Sequence, residues 1–134
     1  MSEPAGSDPI WLTAIQLKML HAESIRLFGG AQGVRDEGLL QSALARPRHL
    51  RAYEEGATLF DLAAAYGFGI AKNHAFVDGN KRAALLAVRA FLFRNGYHLQ
   101  PEEVETVTVM EGLAGGTVDE VLLAEWLETN AEPR

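Results

Sequence analysis

Residues 73–97 read NHAFVDGNKRAALLAVRAFLFRNGY, and the second half of this stretch decides the fold. From Ala83 to Phe93 the chain is apolar on nearly every side of a helix, interrupted only by Arg89. A helix of that kind belongs in the middle of a protein, covered from several directions. Asn95–Gly96 terminates it. The first half of the stretch is a loop crowded with polar groups that runs straight into this helix.

Outward from that helix the pattern is nearly all helical. Thr13 caps a first helix whose apolar positions Ile15, Leu17, Leu20, Ile25 and Leu27 keep mostly to helical spacing, ending at Gly29–Gly30. The stretch GGAQGVRDEG (29–38) is turn-rich and connects elements. Asp36 caps a short helix through Ala45, stopped by Pro47, because proline disfavours helix at the residue before it. Residues 46–57, RPRHLRAYEEGA, show no clean period and read as a loop or flap with short extended pieces. From Thr58, the positions Leu59, Leu62, Ala63, Tyr66 and Ile70 mark an amphipathic helix ending near His74. Pro101 opens another helix to Ala114, before Gly115–Gly116, and Val118 to Leu127 makes the last. The expectation is an all-α, compact bundle of about six helices around the buried 80–94 helix, with a short flap, in a single domain over residues 10–130.

Composition narrows the function classes. A chain of 134 residues can bury roughly two-thirds of its unfolded surface, enough for a core without metals or disulfides. There are no cysteines, which excludes disulfides and thiolate metal sites and fits a reducing cytoplasm, the expected location. No apolar run approaches the roughly 18 residues of a membrane span. The opening MSEPAGSDP is polar and acidic, the opposite of a secretory signal, and reads as a disordered lead-in over residues 1–9. A net charge of −6 speaks against direct nucleic-acid binding over the whole surface, while a local basic cluster facing one anion stays compatible with it.

Such a cluster stands at the start of the 80–94 helix. Helix N-termini carry partial positive charge, which disfavours cations, yet Lys81 and Arg82 both fall in the first turn. A phosphate chain resolves the conflict, because unpaired backbone N–H groups, the dipole and both cations then act on it together. Gly79 lets backbone and ligand approach closely. Asn80 can donate to phosphate from its amide, and Arg82 can clamp it through two parallel bonds. Asp78 beside phosphates suits Mg²⁺, which favours one or two carboxylates plus phosphate oxygens. His74 is the candidate general base, histidine being the side chain that titrates near neutrality. Phe76, with Ala75 and Val77, would pin the loop to the core. Capping and solvation could account for any one of these residues, but not for His74 and two cations together at the wrong helix end. The residues therefore point to phosphoryl or nucleotidyl transfer from a Mg–nucleotide to a hydroxyl.

HAFVDGNKR resembles the signature of the Fic/Doc family, H-x-F-x-[D/E/N]-[G/A]-N-[G/K]-R, with His74, Phe76, Asp78, Gly79, Asn80, Lys81 and Arg82 at its constrained positions. The GG turn, RDEGLLQSAL, AYEE and FLFRNGY extend the similarity to roughly residues 10–128. The resemblance implies a Fic fold and transfer from ATP to a protein hydroxyl. It makes His74 the base, Phe76 the loop anchor, Asp78 the Mg²⁺ ligand, and Gly79, Asn80 and Arg82 the phosphate-binding residues. Lys81 stands where most nucleotidyl-transferring members have glycine and matches the Doc (death-on-curing) branch. There the nucleotide binds reversed and presents its γ-phosphate. The implied activity is that of a toxin that phosphorylates a translation factor of the elongation factor Tu class and arrests translation. AMP transfer is the alternative, and a non-catalytic protein-binding module is a reading of another class.

The resemblance also places a target segment along 46–57 by strand addition. Arg46, Arg48 and Arg51 would steer it or form a solvated face, and Tyr53 with Glu54–Glu55 would brace the flap. Family members that inhibit themselves carry [S/T]-x-x-x-E-[G/N]; here Glu111–Gly112 has the ending but Val107 takes the first position, so Glu111 reads as a helix residue. Restraint from outside, by a Phd-like antitoxin whose tail folds as a helix beside the first helix, is the corresponding expectation. His21, His49 and His98 share no ligand spacing and read as structural, and Trp11 and Trp126 as packing at the bundle's ends.

Overall fold

The computed structural model describes residues 8–134. Most of the lead-in expected over residues 1–9 lies outside the described residues; Pro9, within them, is buried. Six helices and one two-stranded sheet follow: α1 (Ala14–Phe28), α2 (Glu37–Tyr53), α3 (Leu59–Asn73), α4 (Asn80–Arg94), β1 (Tyr97–Leu99), α5 (Glu103–Gly115), α6 (Glu120–Asn130) and β2 (Ala131–Pro133). The architecture is the all-α bundle that the patterning calls for. None of the described helices is long and apolar enough to cross a membrane.

Side chains start four of the helices by accepting otherwise unpaired N–H groups. Thr13 and Gln16 form a capping box on α1, and Thr58 and Asp61 form one on α3. Asp36 caps α2 through Leu39 N (2.9 Å), and Asp119 caps α6 through Leu122 N (2.8 Å). The boundaries at Thr13, Asp36 and Thr58 thus fall where the sequence puts them. The fifth helix begins two residues after Pro101, with Glu102 at its N-cap and Glu103 its first residue.

Two expectations need correction. Pro47 does not stop the second helix: α2 runs through it to Tyr53, so the flap expected over 46–57 reduces to a turn after Tyr53. An interior proline costs a helix roughly 3 kcal/mol, and packing beyond it offsets that cost. Pro47 is itself buried, Arg46 pairs with Glu120 of α6 and lies over Phe68, and Arg48 lies over Trp11. Arg51 faces Asp8 at 3.6 Å. The three arginines therefore hold α2 in place rather than face a target strand. Tyr53 projects into solvent from the helix end.

The second correction concerns the centre. It is α3, not α4, that is covered from all sides: it packs against α2, α4, α5 and α6. Phe60, Leu62 to Gly67 and Gly69 to Ala71 are buried, whereas on α4 burial is confined to Ala83, Ala84, Ala87, Val88, Phe91 and Leu92. Alanine and glycine let neighbouring helices come close; a Cβ on Gly67 would lie 2.9 Å from Val88 Cγ2 and 3.1 Å from Leu123 Cδ2. The segment before α1 is tied across this core by Leu12 N donating to the Tyr66 hydroxyl (3.0 Å). Behind α4, β1 and β2 pair antiparallel with Tyr97 opposite Pro133 and Leu99 opposite Ala131, a clasp absent from the sequence reading.

Candidate active site

The polar loop lies between the end of α3 and the start of α4, so both central helices aim at it. His74 caps α3 in the left-handed conformation, φ 51° and ψ 47°, and is the one non-glycine residue with positive φ among the described residues. Its side chain is exposed. The next residues run antiparallel to the loop between α1 and α2, with Val34 opposite Phe76. Val77 N donates to Gly33 O (3.0 Å), while Arg35 N and Asp36 N both donate to Ala75 O (2.7 and 3.1 Å). The Arg35 guanidinium donates to His74 O (2.8 Å) and Asn73 O (3.3 Å).

Phe76 is buried in the core, its ring stacked on the His21 imidazole with centroids 3.8 Å apart and planes 9° apart. His21, also buried, donates through Nε2 to the backbone oxygen of Asp78 (2.7 Å). The Asp78 carboxylate is exposed and accepts Ala31 N on one oxygen (3.1 Å) and Gly79 N on the other (2.8 Å). The two backbone donors, Ala31 first, hold the Asp78 carboxyl below its ordinary value, with Arg82 and His21 adding to the effect. Glycine at position 30 is required by this arrangement: φ is +119°, and a Cβ would stand 2.7 Å from Asp78 Oδ2. Gly79 is as constrained, with φ +73° and Ile25 Cδ1 only 2.9 Å from where a Cβ would be.

No side chain caps α4, whose N-cap is Gly79. Asn80 instead turns back and braces the loop, accepting Phe76 N (3.0 Å) and donating to Phe76 O (3.1 Å). One amide hydrogen of Asn80 is thus spent on the loop. Arg82 donates to Gly29 O (2.9 Å), at the end of α1, and lies over the Phe28 ring at 5.8 Å. Lys81 is exposed and forms no ion pair among the described residues. Lys81 and Arg82 also line a groove of about 170 Å³ against α5, with Leu85, Val107, Met110 and Glu111. Glu111 is an exposed residue of α5.

The model of the Fic/DOC family matches residues 11–92, more than half of the chain and the whole loop–helix junction, though not the α5 side of the groove. The chain belongs to this family. It is 35% identical over 113 residues to "Protein kinase doc" of Escherichia phage P1, covering 84% of this chain and 88% of that relative. It is 48% identical over 73 residues to "Toxin Doc" of Mycolicibacterium smegmatis, covering 54% of this chain and 56% of that relative. Within Fic/DOC, it is the Doc branch that the chain resembles.

All seven signature residues of this Fic/DOC chain lie within one loop–helix junction, but the loop 29–36 that holds them is not part of the signature. Sequence reasoning took that loop as a connection and His21 as structural. The glycines at 29, 30 and 33, each with positive φ, were the available signal. Nothing in the local pattern says which segment, some 40 residues away, such a loop will face.

Proposed function

We propose that this chain is a Doc-like toxin that transfers the γ-phosphate of ATP to a hydroxyl of a translation factor of the elongation factor Tu class, restrained by a Phd-like antitoxin. The observation that carries the reading is the start of α4, which no side chain caps and beside which Asp78, Lys81 and Arg82 stand. Four of the other described helices use a side chain to cap that end; α5, also uncapped, has the acids Glu103 and Glu105 in its first turn where α4 has Lys81 and Arg82. A phosphate there meets backbone N–H groups and the positive end of the dipole. Lys81, in no ion pair among the described residues, adds a full charge, and the remaining nitrogens of Arg82 are available to a second phosphate oxygen.

The Asp78 donor set fits a hard cation such as Mg²⁺. Its carboxyl is exposed and held in the charged form, and each oxygen keeps lone pairs beyond the one N–H it accepts. Bound there, Mg²⁺ supplies neutralisation of phosphate charge. In the transfer, His74 takes the proton of the target hydroxyl as its oxygen bonds to the γ-phosphorus. The bond from that phosphorus to the β-phosphate oxygen breaks, and ADP leaves. Most of the catalytic gain in such a reaction comes from positioning and charge stabilisation.

The test uses purified protein, Mg²⁺ and elongation factor Tu, with ATP labelled at the α- or the γ-phosphate and His74→Ala in parallel. Label from the γ-position alone, lost in the variant, is the expected result. Label from the α-position would establish AMP transfer in its place. No label from either, with growth arrest surviving His74→Ala in cells, would leave a protein-binding module.

A further inference from the structure

We propose that Arg35 is the positioning residue that sets the aim of His74, an inference that rests on His74 being the base. A left-handed residue with a Cβ costs roughly 1–2 kcal/mol, so His74 keeps φ 51° only because its surroundings impose it. The imposing groups all come from residues 35–39. The Arg35 guanidinium donates to the carbonyls of Asn73 and His74, Arg35 N and Asp36 N donate to that of Ala75, and the Asn73 amide donates to Leu39 O (3.0 Å). Three successive carbonyls, at 73, 74 and 75, are therefore held from one side. The peptide planes on both sides of His74 cannot turn, which sets the direction of its Cα–Cβ bond while the imidazole stays open to a substrate.

The chemistry of the group matches the task. The last carbonyls of a helix lack intrahelical donors, and a cation at that end is favoured by the dipole. A planar guanidinium spans two adjacent carbonyls with two N–H groups, whereas an ammonium is a single point of charge. Among the described residues no carboxylate pairs with Arg35, so the fork is committed to the backbone of the candidate base. Because the guanidinium is exposed, replacing it removes this hold without opening the core.

Arg35→Met and Arg35→Lys test the assignment. In both variants kcat for transfer falls roughly 10- to 100-fold, while KM for ATP stays within about twofold and the melting temperature barely moves. A readout independent of turnover accompanies this. In histidine-labelled protein the His74 ring signals shift and broaden in Arg35→Met, and amide exchange around Ala75 speeds about tenfold with that of Phe91 unchanged. Unaltered His74 signals and exchange would overturn the proposal, as would a lysine variant that works as well as the wild type. A lowered melting temperature with kcat intact would reduce Arg35 to a helix cap and also overturn it. If the wild-type protein transfers no label, the functional reading fails, and the ring signals still decide whether Arg35 aims His74.

Discussion

Helices α3 and α4 have the same length and meet at the site, yet they reach it by opposite means. The interior of α3 is largely alanine and glycine, and it is surrounded because small residues admit neighbours from every direction. On α4 alanine is as frequent, but there is no glycine and there are four cations, Lys81, Arg82, Arg89 and Arg94; Phe93 is 48% exposed and Arg89 faces solvent. The helix with more charge and no glycine is the less central one. The consequence for chemistry is that His74 extends from the most enclosed element, while the uncapped N-terminus after Gly79 begins a helix with a free face.

The largest effect that would test this division of labour is at the end of α3. His74→Asn keeps a residue that tolerates left-handed backbone and removes the proposed base. Transfer should drop roughly 10²- to 10⁴-fold in single-turnover assays with little change in thermal unfolding. Retention of the rate would mean that α3 contributes no base at all. Next comes the packing contrast. Gly67→Leu, pressed against Val88 and Leu123, should cost about 1–3 kcal/mol or more in urea unfolding. Arg89→Leu on the open face of α4 should stay within about 0.5 kcal/mol. Equal losses would return the centre of the bundle to α4.

A smaller effect, about 1 kcal/mol, is expected for Tyr66→Phe, which strands the buried Leu12 N–H; it sharpens the contrast by measuring what one polar tie adds to the enclosed helix. The smallest effect sits at the other side of the site. The Asp78 carboxyl is held below its ordinary value of 3.8 by Ala31 N and Gly79 N, so it favours the folded state above that pH. The contribution is lost as pH falls through the lower folded value. Melts of wild type and Asp78→Asn should differ at neutral pH and converge in that acid window. A gap that persists unchanged at the acid end would show that the N–H contacts act without regard to charge.

The helices were legible wherever a local signal was strong. Thr13, Asp36 and Thr58 declare their helices because capping needs only three or four consecutive residues. Pro47 misled because its local cost is real, and the packing of Arg46 and Arg48 that offsets it lies on other elements. The rank of α3 was legible in composition, since it carries two charged residues against four on α4, but reading α4 as Ala83 to Phe93 left Lys81, Arg82 and Arg94 out of the comparison. β1 and β2 are three residues each and joined across α5 and α6, too short and too distant to announce a pairing. At the site, the signature gave the positions of seven residues but not the loop that holds them. Whether Asn80 would face a phosphate or brace its own loop depended on geometry that no spacing carries.

The pairing of residues 33–36 with 74–77 also has a consequence for folding. Its partners lie some 40 positions apart, so forming the pair closes a loop that contains α2 and α3 and carries the entropic cost of that closure. A growing or half-folded chain contains every letter of the signature yet has no left-handed histidine, no tethered carboxylate and no ordered start to α4. The geometry of the site is thus a property of the tertiary fold and not of the signature alone.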